Sequence, residues 1–493
     1  MIAVKLNCRR FEYDIHSLVK AFYPQTEVKV FAEGEKAFCS DGNFPFLSIN
    51  MTEKEIAAEI SDPGGVKALV SDTITVPAEV SYDTGGGRAE YKNLLKLLLY
   101  GLLSGITGKS LPWGTLTGIR PTKIPMTFLE DGKTEEEILN HMMQVYLVSR
   151  EKGLLAIDIA KREKELLSSI HYQDGYSLYI GIPFCPTTCL YCSFTSYPIC
   201  AWKNRVDDYL TAVEKEMDYV AKAFRGKILD SVYIGGGTPT TLEPDQLKRL
   251  LWKLKSAFDF SGVKEFTVEA GRADSITREK LEVIKEFGVT RVSVNPQTMN
   301  DRTLELIGRK TNAAQAEEAF RMARETGFTN INMDLILGLP GETKEDVAAT
   351  IEAVKKLRPD SLTVHSLAVK RGSRLNQWIE ENGITALRNT DETMKIAEQG
   401  AKDMGMKPYY LYRQKNMSGN FENVGYATEG NYGIYNILIM EEKQSIVALG
   451  AGSISKRVYE DGRIERCDNV KEVAEYIERI EEMIERKRIL FDG

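Results

Sequence analysis

The run Tyr179–Phe194, YIGIPFCPTTCLYCSF, constrains this chain more than any other stretch. It holds three of the seven cysteines, Cys185, Cys189 and Cys192, in the spacing C-x3-C-x2-C. Thiolates that close on one loop can converge on a single inorganic centre. Three thiolates satisfy three irons of a [4Fe–4S] cube, whereas a closed cluster takes four. One iron is then left for a ligand that the polypeptide does not supply. A closed structural zinc site also takes four ligands, and no fourth cysteine or histidine stands nearby at zinc-finger spacing. A disulfide framework fits poorly, because three is odd and nothing suggests secretion. The ordinary alternative is three unrelated core cysteines. Cys8, Cys39, Cys200 and Cys467 show what scattered cysteines look like here, and the loop does not look like them.

The 493 residues suffice for two or three domains. A hydrophobic content of 43% and a charged content of 27% are ordinary for a globular chain. The net charge of −7 disfavours nucleic acid or an anionic membrane as partner. The longest apolar run, Leu94–Ile106, is broken by Lys96 and is too short to span a bilayer. It reads as a buried helix. The N-terminus shows no cleavable signal pattern, and free cysteines imply a reducing compartment, so a cytoplasmic location is expected.

Three regions are expected: an α+β accessory domain over 1–172, a catalytic α/β domain over 173–375, and a substrate-covering α/β extension over 376–493. In the first, strands are read at Ile2–Leu6, Glu27–Phe31, Phe44–Ile49 and Thr73–Val80. Helices are read at Asp14–Tyr23, Arg88–Ile106, Thr134–Arg150 and Leu154–Ser169. Asp83–Arg88, DTGGGR, reads as a loop. Leu111–Ile124, with Trp113, Arg120 and Lys123, is either a docking loop or a linker whose Trp plugs the core; the core plug is favoured.

From Leu178 on, β-rich and amphipathic helical runs alternate. Strands begin near Leu178, Ser231, Glu265, Arg291, Ile331 and Leu362. Repeated β–α units need right-handed crossovers and give a parallel sheet. Six units predict a curled, partial (β/α)6 barrel. In such barrels the chemistry sits at the C-terminal ends of the strands. The cysteine loop falls there, as do Gly235-Gly236-Gly237-Thr238, Glu269, Gln297, Asp334, His365 and Ala368. A purely structural barrel needs no such series. Consecutive glycines let backbone approach a ligand, although a tight turn needs them too. Glu269 and Gln297 could instead cap the helices that follow. Arg309 supplies a fork for a carboxylate, or a surface ion pair. Asp334 lies in an apolar run and needs a partner, either a ligand or Arg309. A lone histidine such as His365 is more often structural than a proton donor.

The I-P-F-C-x3-C-x-Y-C motif resembles the radical S-adenosylmethionine (SAM) enzymes, and more narrowly the oxygen-independent coproporphyrinogen III dehydrogenase group with its haem-chaperone relatives. The resemblance covers roughly Tyr176–Lys456. It implies a [4Fe–4S] cluster on Cys185, Cys189 and Cys192, with the open iron chelating the methionine part of SAM. It also implies SAM contacts from Tyr179, Tyr191, Gly236, Gly237, Thr238, Glu269, Gln297, Arg309, Asp334 and, by strand alignment, Ala368. Reductive cleavage to a 5′-deoxyadenosyl radical and oxidative decarboxylation of tetrapyrrole propionates to vinyl groups would follow, in haem biosynthesis. A haem chaperone, or a radical enzyme such as a methyltransferase on another substrate, stays open. A tetrapyrrole substrate, a one-electron donor such as flavodoxin or ferredoxin, and a monomer are the expected partners and state. Three positions depart from the family pattern. Gly181 replaces a histidine, Ser193 stands where some dehydrogenases carry a further cysteine, and EAGRADSIT replaces the usual E-x-x-P segment.

After the barrel, Lys407–Gly433 is rich in Tyr, Asn and Gly and carries Arg413 and Lys415. It could stack on a flat anionic ligand, or simply cover the barrel edge. A strand is expected at Asn436–Met440 and a helix over Val470–Arg486.

Overall fold

A computed structural model describes residues 1–24, 26–80, 85–118, 120–370, 372–383, 387–413 and 421–492. The chain forms two compact units. The first comprises Met1–Ala160 with Tyr412–Glu422, the second Lys161–Leu411 with Asn423–Gly493.

The first unit is a five-stranded sheet in the order β2-β1-β3-β4-β5. Its strands are β1 (Ile2–Leu6), β2 (Val28–Ala32), β3 (Phe46–Met51), β4 (Glu55–Ser61) and β5 (Ala68–Thr75). β4 has no counterpart among the expected strands, and β5 starts five residues before the expected Thr73. Side chains alternate across a strand. Leu47, Ile49, Met51, Ile56, Ala58 and Ile60 therefore share one face, and they form one core with Ile15, Leu18, Val19 and Phe22 of the helix Glu12–Phe22. Leu95, Leu98, Leu99, Leu102 and Leu103 of the helix Gly85–Thr107 join that core, so the apolar run is a packed helix. Gly85–Arg88 open this helix rather than a loop, while Asp83 and Thr84 lie outside the described residues. No described helix is long and apolar enough to cross a membrane.

The second unit is built on an eleven-stranded sheet. In chain order come β6 (Gly175–Ile182), the short β7 (Phe184–Cys185) and β8 (Tyr197–Pro198), then β9 (Ile228–Gly236), β10 (Glu265–Gly271) and β11 (Arg291–Val294). β12 (Ile331–Leu337), β13 (Ser361–Ser366), β14 (Lys407–Tyr412) and β15 (Asn423–Ala427) follow, and β16 (Ile446–Leu449), β17 (Ile454–Val458) and β18 (Ile464–Asp468) complete the set. β7 and β8 pair only with each other. β6, β9, β10, β11, β12 and β13 are neighbours in that order and all parallel, the six strands expected of the barrel. Residues beyond 376 add β16 parallel to β6 and β15 antiparallel to β13, so the region read as a covering extension widens the same sheet. Asn436–Met440 is not a strand. It lies in the helix Ile434–Glu441, whose first amides, Ile434 N and Tyr435 N, both donate to Glu265 Oε2. A short apolar run cannot be told from a buried helix by periodicity, and the anionic N-terminal partner decides here.

Register shows how the six strands divide their side chains. Ser177 faces Ser231, Tyr179 faces Tyr233, Tyr233 faces Thr267, Glu269 faces Ser293, and Asp334 faces Thr363. These positions are polar or carry a polar tip on every strand. The alternate set, such as Leu178, Val232, Val268, Val292, Met333 and Leu362, is apolar and buried.

Candidate active site

The polar face is hydrogen-bonded in several groups. Ser231 Oγ donates to Ser177 Oγ at 2.8 Å, Asn332 Nδ2 to Ser293 Oγ at 2.9 Å, and Arg291 Nη2 to Ser361 Oγ at 2.9 Å. Nearer the C-terminal strand ends it meets Glu269 and Asp334. Tyr233 Oη donates to Glu269, and Tyr179, Tyr233 and Tyr435 lie near-parallel, with Tyr233 and Tyr435 centroids 4.5 Å apart. Burial, reinforced by Asp334, lifts the Glu269 carboxyl to about 7 although the Tyr233 hydroxyl opposes this. Asp334 goes the other way. Burial resists its ionisation, but interactions with His365, Asn332 and Thr363 keep it below the usual carboxylate range. Asn332 Nδ2 donates to Asp334 Oδ1 at 2.7 Å, and His365 Nε2 lies 3.8 Å from Asp334 Oδ2. Two carboxyls on one face thus have their ionisation shifted in opposite directions by their surroundings.

The cysteine loop leaves the end of β6 and is tied down along its length. Thr238 N donates to Phe184 O at 2.7 Å, Leu190 N to Ile307 O at 2.9 Å, and Thr187 Oγ1 to Gly308 O at 3.0 Å. Gly236 has φ +106°, and a Cβ on Gly237 would sit 2.5 Å from Phe184 O. These glycines are therefore demanded by the close passage of the loop's own backbone, which is the tight-turn reading. The rim they build is bare of side chains in consequence. Cys189 is buried and Cys185 and Cys192 are half-buried, with Thr238 Oγ1 3.5 Å from Cys185 Sγ.

Of the remaining expected contacts, Arg309 does not pair with Asp334. Its Nη1 donates to Asn295 O and its Nη2 to Tyr191 Oη at 3.2 Å, which sets Arg309 and Tyr191 beside the cysteine loop. Gln297 follows β11 with φ 71°, and its backbone is sewn to β12 through Asp334 O and Ile336 N. Ala368 lies just past β13, half-buried. At Gly181 a Cβ would make ordinary contact, 3.4 Å from Leu449 O, and the Gly181 carbonyl accepts from Tyr209 Oη at 2.6 Å. Trp113 and Arg413 lie in the first unit. Trp113 is fully buried in the first unit and donates its Nε1–H to Glu422 Oε2 at 2.7 Å. Arg413, also buried there, donates to Leu116 O, while Lys415 lies outside the described residues.

Two observations bear on what the site could hold. Gln297 Oε1 and Arg309 Nε are buried without a hydrogen-bond partner, although both residues lie at the mouth. Buried polar atoms are ordinarily paired, so each is suited to a bound polar group. Burial also pushes the Cys185 thiol up to about 11 and the Cys192 thiol upward. Such thiols become thiolates when a metal centre binds them. Among the described residues no three His, Cys, Asp or Glu side chains converge closely enough for a single metal ion. A four-iron cube is wider, because each thiolate takes its own iron. Three thiols on one loop are the kind of donor set that takes an iron–sulfur cube with one iron left open.

A bare glycine rim, a three-thiol loop and buried polar groups at the ends of parallel strands define the radical SAM class. A family model of the Radical SAM superfamily matches residues 179–354. The oxygen-independent coproporphyrinogen-III oxidase-like protein HemZ of Bacillus subtilis (strain 168) is 38% identical over 403 residues, 81% of this chain and 80% of its own. The Heme chaperone HemW of the same organism is 41% identical over 196 residues, covering 39% of this chain and 51% of its own. A solved structure of coproporphyrinogen III oxidase (HemN) from Escherichia coli, described as a radical SAM enzyme, superposes with a TM-score of 0.51 at 23% identity. It covers 65% of this chain and 72% of that one. The chain belongs to the oxygen-independent coproporphyrinogen III oxidase-like family of radical SAM proteins, and a [4Fe–4S] cluster and SAM are its cofactors.

Sequence reasoning missed Tyr233, Tyr435, Arg291 and Arg272 as parts of the site. The first and third lie in the alternation S-V-Y-I and R-V-S-V, where every second residue is polar. That signal was available. Tyr435 enters from a distant helix and Arg272 through its side-chain geometry, neither of which a local pattern reveals.

Proposed function

We propose that this chain carries out oxygen-independent oxidative decarboxylation of coproporphyrinogen III propionates to vinyl groups. The observation that carries this reading is the long alignment, over 81% of the chain, to a coproporphyrinogen-III oxidase-like protein. When bound, the cluster and SAM supply one-electron chemistry able to abstract a hydrogen atom from an unactivated C–H bond. The protein's part is positioning and electrostatics. Cys185, Cys189 and Cys192 would hold the cluster, with the loop anchored through Thr187 and Leu190. Gln297 Oε1 and Arg309 Nε, buried and without a partner, would meet polar groups of SAM, and by the family resemblance Glu269, Asp334 and Tyr179 would line the rest of its site. Glu269, with a pKa of about 7, can hold a proton, whereas Asp334 stays an acceptor. The cytoplasm, a flavodoxin- or ferredoxin-like electron donor and a monomeric state belong to the same proposal, as does the division into residues 1–172, 173–375 and 376–493.

A second reading, a haem-binding chaperone, is favoured by the 41% identity to a Heme chaperone over 196 residues, 51% of that protein. One anaerobic assay separates them. Reconstituted protein, reductant, SAM and coproporphyrinogen III should give protoporphyrinogen IX with 5′-deoxyadenosine. Tight haem binding with no vinyl product supports the chaperone instead. Cys189→Ala should lose the cluster's visible absorption and iron; a full cluster in that variant contradicts the ligand assignment.

A further inference from the structure

The segment EAGRADSIT departs from the family's E-x-x-P pattern, and its arginine does something specific. Arg272 is buried at 4% exposure just beyond β10, and its guanidinium points at the cysteine loop. Its Nε and Nη2 donate to the two carboxylate oxygens of Asp274 at 3.0 and 2.6 Å, a bidentate pair that fixes the plane of the fork. The remaining nitrogen, Nη1, faces the loop. It donates to Thr187 O at 3.0 Å, to Thr187 Oγ1 at 2.8 Å and to Cys189 Sγ at 3.6 Å. Cys189 is the most buried of the three loop thiols, so the cation acts there with little water to screen it. Thr187 in turn donates to Gly308 O, which extends the brace to the segment carrying Arg309.

We propose that Arg272, oriented by Asp274, is a positioning residue that sets the reduction potential of the cluster through its N–H to the Cys189 sulfur. This rests on the assignment of the three cysteines as cluster ligands. Reduction adds a negative charge to the cluster. A fixed cation and a hydrogen bond to a ligating sulfur stabilise the reduced form more than the oxidised one, and such bonds are among the determinants of cluster potential. Proline at this place could donate neither charge nor hydrogen bond. The arginine therefore makes this chain's cluster easier to reduce than an otherwise identical site without it.

The test is a reductive titration of the full-length, anaerobically reconstituted protein, followed by electron paramagnetic resonance, with iron counted in each sample. Arg272→Met should keep its iron and shift the midpoint to a more negative value, by a tenfold change in the one-electron equilibrium or about 59 mV. Arg272→Lys should fall between Met and wild type. Arg272→Gln, which removes the charge and keeps an N–H donor, should shift in the same direction by less. If Arg272→Met fails to assemble a cluster, Arg272→Gln decides, and an unchanged midpoint in it overturns the proposal. A fully loaded Arg272→Met protein with the wild-type midpoint also overturns it. Failure of the underlying ligand assignment looks different: Cys189→Ala would retain full iron.

Discussion

The two sheets of this chain obey the same alternation and use it to opposite ends. In the first unit one face of β3 and β4 is apolar and packs on helices, while Asn50, Glu55 and Glu59 on the other face meet solvent. In the second unit the apolar face is buried as well, but the opposite face of the six parallel strands is polar and largely buried too. Ser177, Ser231, Thr267, Arg291, Ser293, Asn332, Ser361 and Thr363 are all at or below 4% exposure. Burying polar groups is costly unless each is hydrogen-bonded. A sheet that only had to fold would not adopt that arrangement. The difference marks the second unit as the one built around a ligand, and the unpartnered Gln297 Oε1 shows where the network stays open.

The largest effect that sharpens this contrast is in the first unit. Its buried Glu422 is matched on both oxygens, by Trp113 Nε1 and by Lys152 Nζ, each at 2.7 Å. Glu422→Ala leaves a buried ammonium behind and should cost about 3–5 kcal/mol in urea unfolding. A cost under 1 kcal/mol, roughly the size of an exposed pair, would show that this polar core is not structural. Next comes Gly237→Ala, whose Cβ would meet Phe184 O at 2.5 Å. It should destabilise the second unit by about 1–3 kcal/mol and reduce cluster loading, measured by iron content. Unchanged stability and loading would mean that the rim tolerates a side chain.

The third prediction concerns pH. Glu269 has its pKa raised from 4.5 to about 7 in the folded chain. The folded state then binds more protons than the unfolded state between those values, so stability falls as pH rises across that window and levels off above it. Thermal unfolding of the cluster-free protein should show this slope, and Glu269→Gln should flatten it. An identical slope in the variant assigns the effect elsewhere, for instance to Glu342, which burial also raises to about 7. The smallest effect is Gly101→Ala. This exposed helical glycine has open space around its Cβ position, and the change should stabilise the first unit by about 0.5–1 kcal/mol in the same denaturant assay. A loss of stability there would mean that the helix surface is covered.

Much of the second unit was legible in the sequence because its signals are local. Six strands, the cysteine loop on the first and polar residues at strand ends all follow from period and spacing, and the parallel sheet follows from the β–α alternation. What escaped was non-local. The strand expected at Asn436–Met440 is a helix because Glu265, some 170 positions away in the chain, accepts its first amides. Arg309 and Asp334 looked like partners on charge alone, yet Tyr191 and His365 reach them first. The glycine rim was read as either a ligand approach or a tight turn, and the crowding by Phe184 and Ile182 that the turn involves is set by chain segments no local pattern reveals. β4 was missed because Glu55–Ser61, EIAAEIS, suits a helix in isolation and becomes a strand only between β3 and β5.

The central claim is that three thiolates leave one iron of the cluster to be completed by SAM. Electron paramagnetic resonance of the reduced, anaerobically reconstituted protein, recorded before and after SAM is added, tests it most directly. A shifted spectrum, absent when SAM is replaced by a compound lacking the methionine amino and carboxylate groups, is the expected result. A spectrum indifferent to SAM at full cluster occupancy would contradict the account.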